Sequence, residues 1–118
     1  MLASLGLTLI GGALAPAQEG PAAQFTPQQV EFFESKVRPI LVNRCYECHG
    51  DVGDKLKGGL RVDSRTALLR GGDTGPSIDE KEPEKSLLLD AIRYGDTYQM
   101  PPKNKLPDDE LAILEKWI

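Results

Sequence analysis

Apolar residues recur along the chain at intervals of three and four, and no stretch alternates apolar with polar residues over a useful length. This pattern predicts an all-α protein of four or five short helices joined by loops rich in glycine and proline. Helices this short bury little surface on their own, so a further stabilising element is expected. The predicted core comprises Phe33, Ile40, Leu41, Leu60, Leu68, Leu88, Ile92, Leu111 and Leu114.

The first helix has the clearest start. Thr26 suits the N-cap, Pro27 suits the first helical position, and Gln29 completes a capping box. Pro39 interrupts the helical spacing, and its ring would clash with the carbonyl four residues earlier, so we expect a break or kink near Val37–Arg38. A second helical stretch should then run from Pro39 to about residue 46. Further helices are predicted from Asp63 or Ser64 to Gly71, from Pro83 to Gly95, and from Pro107 onwards.

The N-terminal stretch has the composition of an export signal. Leu2 to Ala15 is apolar and uncharged, is shorter than a membrane-spanning helix, and is followed by the small-x-small sequence Ala15-Pro16-Ala17. No lysine or arginine precedes it, so a buried apolar segment or an uncleaved anchor remains the alternative. The predicted organisation is a signal at 1–17, a linker at 18–24 and a domain at 25–118, with no stable membrane span once the signal is cleaved.

Composition excludes several function classes. There are 14 Lys+Arg against 18 Asp+Glu, a formal net charge of −4, and no basic run, so nucleic acid is an unfavourable partner. Two cysteines cannot build a disulfide scaffold. With one histidine, they cannot complete a four-ligand zinc site without carboxylate help.

The chemistry is concentrated in Cys45-Tyr46-Glu47-Cys48-His49. The C-x-x-C-H spacing is that of c-type haem attachment, because residues three apart on a helical turn lie on one side and both sulfurs reach one porphyrin edge. His49 then follows as an iron ligand, which predicts one covalent haem c. The alternatives are a redox dithiol or disulfide, which favours a βαβ context, and a zinc site assisted by Glu47 or Asp51.

Met100 is the expected sixth ligand to the iron. No second histidine exists, and Met1 is lost with the predicted signal. Pro101 favours an extended backbone at Met100, and a stiff Met-Pro-Pro loop could hold a sulfur at the iron. His/Met ligation fills both axial positions and suits electron transfer. The alternatives are that Met100 is an ordinary core residue, or that Lys103, Lys105 or no residue takes the sixth place.

These features together resemble class I cytochromes c and, more narrowly, the planctomycete-type cytochrome c domain. The resemblance implies that Cys45 and Cys48 anchor the haem, that His49 and Met100 are axial ligands, and that the first and last helices cross. It also implies the N-terminal part of a larger exported protein, in agreement with a chain that stops mid-helix at Ile118. The matching stretches are Phe32-Phe33-Glu34, Val37 to Leu41, Cys45 to Gly50, Lys57 to Ser64, Arg70-Gly71-Gly72, Gly75-Pro76, Ser86-Leu87-Leu88, Met100-Pro101-Pro102 and Trp117-Ile118.

An arginine, a proline and two tyrosines are further candidates for contacts with the haem or its ligands. Arg61 suits a haem propionate, because a guanidinium fork matches a carboxylate, and it equally suits a solvated surface. The class I resemblance suggests that the Pro39 carbonyl accepts the second ring hydrogen of His49. Tyr94 or Tyr98 is expected to pack in the core, or else to hydrogen-bond a propionate or the Met100 sulfur.

The sequence as a whole therefore predicts a non-enzymatic c-type electron-transfer domain outside the cytoplasm, periplasmic or at the cell surface. Its expected partners are redox proteins or fused domains. Two alternatives differ in what the haem does: it serves as a sensor or ligand-binding site, or it staples a small fold. Binding of carbon monoxide and a redox titration discriminate among the three.

Overall fold

A computed structural model describes residue 12, residues 24–51 and residues 56–118. This part of the chain is helical, and its only bridge between extended residues joins Gly72 to Gly75, so the all-α prediction is confirmed. The predicted signal and linker lie outside the described residues, apart from residues 12 and 24. None of the helices within the described ranges has the length and apolar character needed to cross a bilayer. The helices are α1 (Pro27–Phe32), α2 (Arg38–Arg44), α3 (Tyr46–His49), α4 (Arg65–Arg70), α5 (Leu87–Ile92) and α6 (Asp108–Trp117).

Helix α1 begins as predicted, with a complete capping box. The Gln29 backbone N–H donates to the Thr26 hydroxyl at 3.2 Å, and the Thr26 N–H donates to the Gln29 side-chain oxygen at 2.9 Å. Two of the otherwise unpaired amides at the helix start are thereby satisfied.

Of the expected break or kink near Val37–Arg38, the break does not occur, because the chain remains helical from Pro27 to Arg44. A π-helical segment, Phe33–Val37, replaces the break, and the Arg38 N–H donates to the Phe33 carbonyl five residues earlier. A wider turn changes the hydrogen-bond register just ahead of Pro39, which accommodates a residue that has no N–H and a bulky ring. The disturbance lies where it was expected but takes another form.

The later helices differ from the predictions at their ends. Ser64 rather than Asp63 caps α4, since its hydroxyl accepts from the Ala67 N–H at 3.1 Å. The helix predicted between Pro83 and Gly95 is split into a 3-10 turn, Pro83–Lys85, and the shorter α5. The split falls at Ser86, whose backbone is extended and whose buried hydroxyl accepts from the Asp79 N–H at 2.9 Å.

The core lies among α2, α4, α5, α6 and the segments beside them. Six of the nine predicted core residues are buried, and the other three, Phe33, Leu60 and Leu111, pack at its margin. Four buried members, Val37, Val62, Leu89 and Leu106, are absent from the predicted core, and two of them, Val62 and Leu106, lie in loops. The complete cluster of large buried side chains is Val37, Ile40, Leu41, Val62, Leu68, Leu88, Leu89, Ile92, Leu106 and Leu114.

The last helix packs against the first helical stretch. The rings of Phe33 and Trp117 are 5.7 Å apart at 45°, and the Lys116 ammonium lies 4.8 Å from the centre of the Phe32 ring. In the first turn of α6, Glu110 accepts two hydrogen bonds from the Arg44 guanidinium at the end of α2. These contacts bring α6 beside the residues that follow Arg44.

Candidate functional site

Cys45, Cys48 and His49 are held on one helical turn. Cys45 joins α2 to α3, and its carbonyl accepts from the N–H groups of both Cys48 (3.3 Å) and His49 (2.9 Å). All three side chains are half-buried, and the two thiols are not joined in a disulfide. Because the cysteines are three residues apart on this turn, their sulfurs lie on one side of it.

The His49 imidazole is fixed by a backbone carbonyl. Its Nδ1 lies 3.1 Å from the Leu60 carbonyl oxygen, and a carbonyl can only accept, so Nδ1 carries the hydrogen. The prediction that Pro39 fills this role is wrong. The chain after the motif turns back over it, with Lys57 N–H donating to the Cys48 carbonyl at 3.0 Å and Val62 N–H to the His49 carbonyl at 2.8 Å. Nε2 is left as the basic nitrogen of the ring.

The surroundings of Cys45 disfavour its thiolate. Burial raises the pKa of the Cys45 thiol to about 11, and the negative charge of Glu110 acts in the same direction. The same carboxylate is paired with Arg44 through two hydrogen bonds of 2.9 and 3.0 Å. Cys45 is therefore a neutral thiol at physiological pH.

Met100 and Pro101 lie in a loop tied to the end of α5. The Met100 N–H donates to the Ala91 carbonyl at 2.9 Å, and the Tyr94 hydroxyl donates to the Pro101 carbonyl. Tyr94 itself has φ 61°, a conformation that bulky residues rarely adopt. Pro101 and Arg44 line the same cleft, so this loop lies beside the end of α2 that leads into Cys45.

Arg61 comes directly after Leu60, whose carbonyl engages His49, and its guanidinium lies beside two aspartates. Its Nη2 donates to Asp63 at 2.5 Å and lies 3.8 Å from Asp51. The guanidinium holds the pKa of the Asp63 carboxyl below its ordinary value, through a hydrogen bond and through its charge. Its Nε is buried and has no hydrogen-bond partner within the described ranges. An orphaned donor of this kind is suited to an acceptor supplied by another molecule.

Three features of the site did not emerge from the sequence. The Leu60 carbonyl is a backbone group, so no residue type signals it. Tyr94 was expected mainly in the core, yet its hydroxyl bonds the carbonyl of Pro101, while Tyr98 reaches the Thr74 hydroxyl at the surface (2.5 Å). In the sequence, Gly72 is only one of a pair of glycines that follow the predicted helix. Its closeness to the loop that holds His49 depends on tertiary contacts.

The donor set fits a c-type haem. Two free thiols share one side of a turn, the next residue presents a free imidazole nitrogen, and Arg61 has a spare donor for a carboxylate. Within the described residues, no three histidine, cysteine, aspartate or glutamate side chains are grouped so that they alone could hold a metal ion. This set of donors in a helical domain is typical of c-type haem-binding domains.

Comparison with known proteins identifies the family. The family model described as Planctomycete cytochrome C matches residues 45–104, more than half of the chain. The chain therefore belongs to the planctomycete cytochrome c family, as its motifs predicted. The matched region contains the Cys-His motif, Arg61 and the Met100-Pro101 loop. No curated protein and no solved structure matches the chain.

Proposed function

We propose that this domain transfers single electrons outside the cytoplasm through one haem c with His/Met ligation, in a class I cytochrome c-like fold spanning residues 25–118. Cys45 and Cys48 would hold the haem by thioether bonds, and His49 and Met100 would be the axial ligands. The bound haem supplies one-electron chemistry at its iron. Redox proteins or fused domains would be its partners, and the apolar N-terminal stretch would direct export to the periplasm or cell surface.

The orientation of His49 is the observation that carries this proposal. The Leu60 carbonyl at 3.1 Å engages Nδ1, so Nε2 is the ring nitrogen left for another partner and is directed away from that bond. A ligating histidine in proteins donates its second ring hydrogen to a carbonyl or carboxylate in this way, which fixes the tautomer and strengthens the ligand. If His49 served packing alone, neither the hydrogen bond that fixes its ring nor its position beside two free thiols would be needed.

The tethering of the 100–101 loop supports Met100 as the second ligand. One backbone bond from Met100 and one side-chain bond to Pro101 attach the loop to α5 and the turn that follows it. A thioether on a loop fixed at two points loses little freedom on binding a metal. His49 and Met100 together would fill both axial positions of a bound haem and leave no open position for an external ligand, which favours electron transfer over ligand sensing.

Arg61 and Pro101 have supporting roles in the proposal. The buried Nε of Arg61 would donate to a haem propionate, while Nη2 keeps its bond to Asp63. Pro101 restricts the backbone of Met100 and offers its own carbonyl to Tyr94, so it would hold the sulfur in place rather than touch the iron.

The test is spectroscopy on the exported protein, comparing wild type with Met100→Ala and with Gln99→Ala as an exposed neighbour. We expect covalent haem in all three, a sulfur–iron charge-transfer band in wild type and Gln99→Ala, and loss of that band in Met100→Ala. Absence of covalent haem from the wild type would refute the proposal. Persistence of the band in Met100→Ala would refute the ligand assignment, and tight carbon monoxide binding by the reduced wild type would favour a sensor.

A further inference from the structure

The loop that holds His49 rests on a second turn. Residues 57–60 form a turn in which the Leu60 N–H donates to the Lys57 carbonyl at 3.2 Å, and its central residues Gly58 and Gly59 have φ of 60° and 64°. The tip of this turn contacts residues 72–75, where the Asp73 N–H donates to the Gly58 carbonyl at 2.9 Å. The acceptor for His49 is therefore supported from the opposite side by another backbone segment.

Gly72 lies at the closest point of that contact. A Cβ added to Gly72 would come within 2.3 Å of the Gly58 carbonyl oxygen, 3.1 Å of the Leu60 Cβ and 3.2 Å of the Leu60 nitrogen. These neighbours are backbone atoms or are bonded directly to backbone, so none of them can rotate away. Any larger residue at position 72 must displace the segment that carries the Leu60 carbonyl.

We infer that Gly72 positions the His49 imidazole through the Leu60 carbonyl and thereby sets the electron richness of the axial ligand. This inference rests on the proposed function, because it takes His49 as a ligand of the haem iron. A carbonyl bonded to Nδ1–H makes the imidazole a stronger donor, and a stronger donor favours ferric over ferrous iron. Displacing the Leu60 carbonyl should therefore shift the ferric–ferrous equilibrium toward the ferrous state.

The experiment compares Gly72→Ala with Gly58→Ala as holoproteins. Gly58 is the matched control, because it shares the turn contact and has positive φ, but a Cβ at that position meets nothing within 4 Å. We expect Gly72→Ala to shift the redox equilibrium by up to about tenfold, which for one electron is about 59 mV toward higher potential. Gly58→Ala should shift it less than about twofold.

A second readout follows the hydrogen bond directly. In ¹⁵N-labelled protein, the His49 Nδ1 signal should move toward that of a weaker hydrogen bond in Gly72→Ala and stay in place in Gly58→Ala. Equal potentials and equal Nδ1 signals in the two variants would overturn the inference.

If Gly72→Ala yields no holoprotein, hydrogen exchange of the wild type tests whether Gly72 positions His49. The Nδ1 hydrogen of His49 and the Asp73 amide should then exchange with the same opening free energy, since one segment protects both. Independent exchange of the two would contradict the inference. The proposed function fails separately, if the wild type binds no haem or if its iron lacks a histidine ligand.

Discussion

Replacing Tyr94 by phenylalanine tests how much one of the two hydrogen bonds that tether the Met100 loop contributes to keeping it closed. The change removes only the hydroxyl that donates to the Pro101 carbonyl, and it leaves the ring and the unusual φ of 61° in place. A hydrogen bond of this kind contributes about 1 kcal/mol net. Its loss should raise the population of the open loop about fivefold, since about 1.4 kcal/mol corresponds to a factor of ten.

The measurement is the affinity of the ferric protein for imidazole, followed by absorbance. Under the proposed His/Met ligation, an external ligand binds only when Met100 has left the iron, so its apparent affinity is proportional to the open fraction. We expect imidazole to bind Tyr94→Phe about fivefold more tightly than wild type.

Tyr98→Phe is the matched control. Its hydroxyl contacts Thr74, and the residue is 42% exposed, so water replaces the lost bond and the change should be under about twofold. Equal imidazole affinities for the two variants would refute the reasoning about Tyr94. If Met100→Ala binds imidazole no more tightly than wild type, Met100 is not the ligand being displaced.

Two further predictions concern stability. Leu114→Ala should lower the free energy of unfolding by about 3 kcal/mol, because Leu114 is 1% exposed and truncation leaves a cavity. Val42 is 47% exposed, so Val42→Ala should lower the free energy of unfolding by under about 1 kcal/mol. Equal losses in urea unfolding would contradict the described core. Hydrogen bonds from two backbone N–H groups lower the pKa of Asp79 from its ordinary 3.8. The contribution of the Asp79 carboxylate to folding stability is therefore complete above pH 3.8 and is lost as the pH falls through the lower pKa of the folded state. The stability difference between wild type and Asp79→Asn should therefore shrink below pH 3.8, and a difference independent of pH would exclude this role.

Local interactions made much of this fold predictable. The Thr26–Gln29 capping box and the start of α6 after Pro107 depend on residues within one turn, so the sequence alone indicates them. The Cys-His motif is local for the same reason, since its geometry is that of a single helical turn. The effect of Pro39 was anticipated in position but not in form, because packing on both sides of it, at Val37 and Ile40, keeps the helix continuous through a π-helical segment.

Backbone groups far apart in the chain meet only in the folded molecule. Any residue at position 60 presents the same carbonyl, so its bond to His49 has no signature in the sequence, and the need for glycine at position 72 arises only where two turns touch. For Arg61, the sequence left a propionate and a solvated surface equally open, and folding added an ion pair to Asp63 and a buried Nε without a partner among the described residues. Which atoms are available for haem attachment follows from residue type, because the covalent chemistry depends on it. Their orientation required the fold, because it is set by carbonyls and close contacts that every residue type shares.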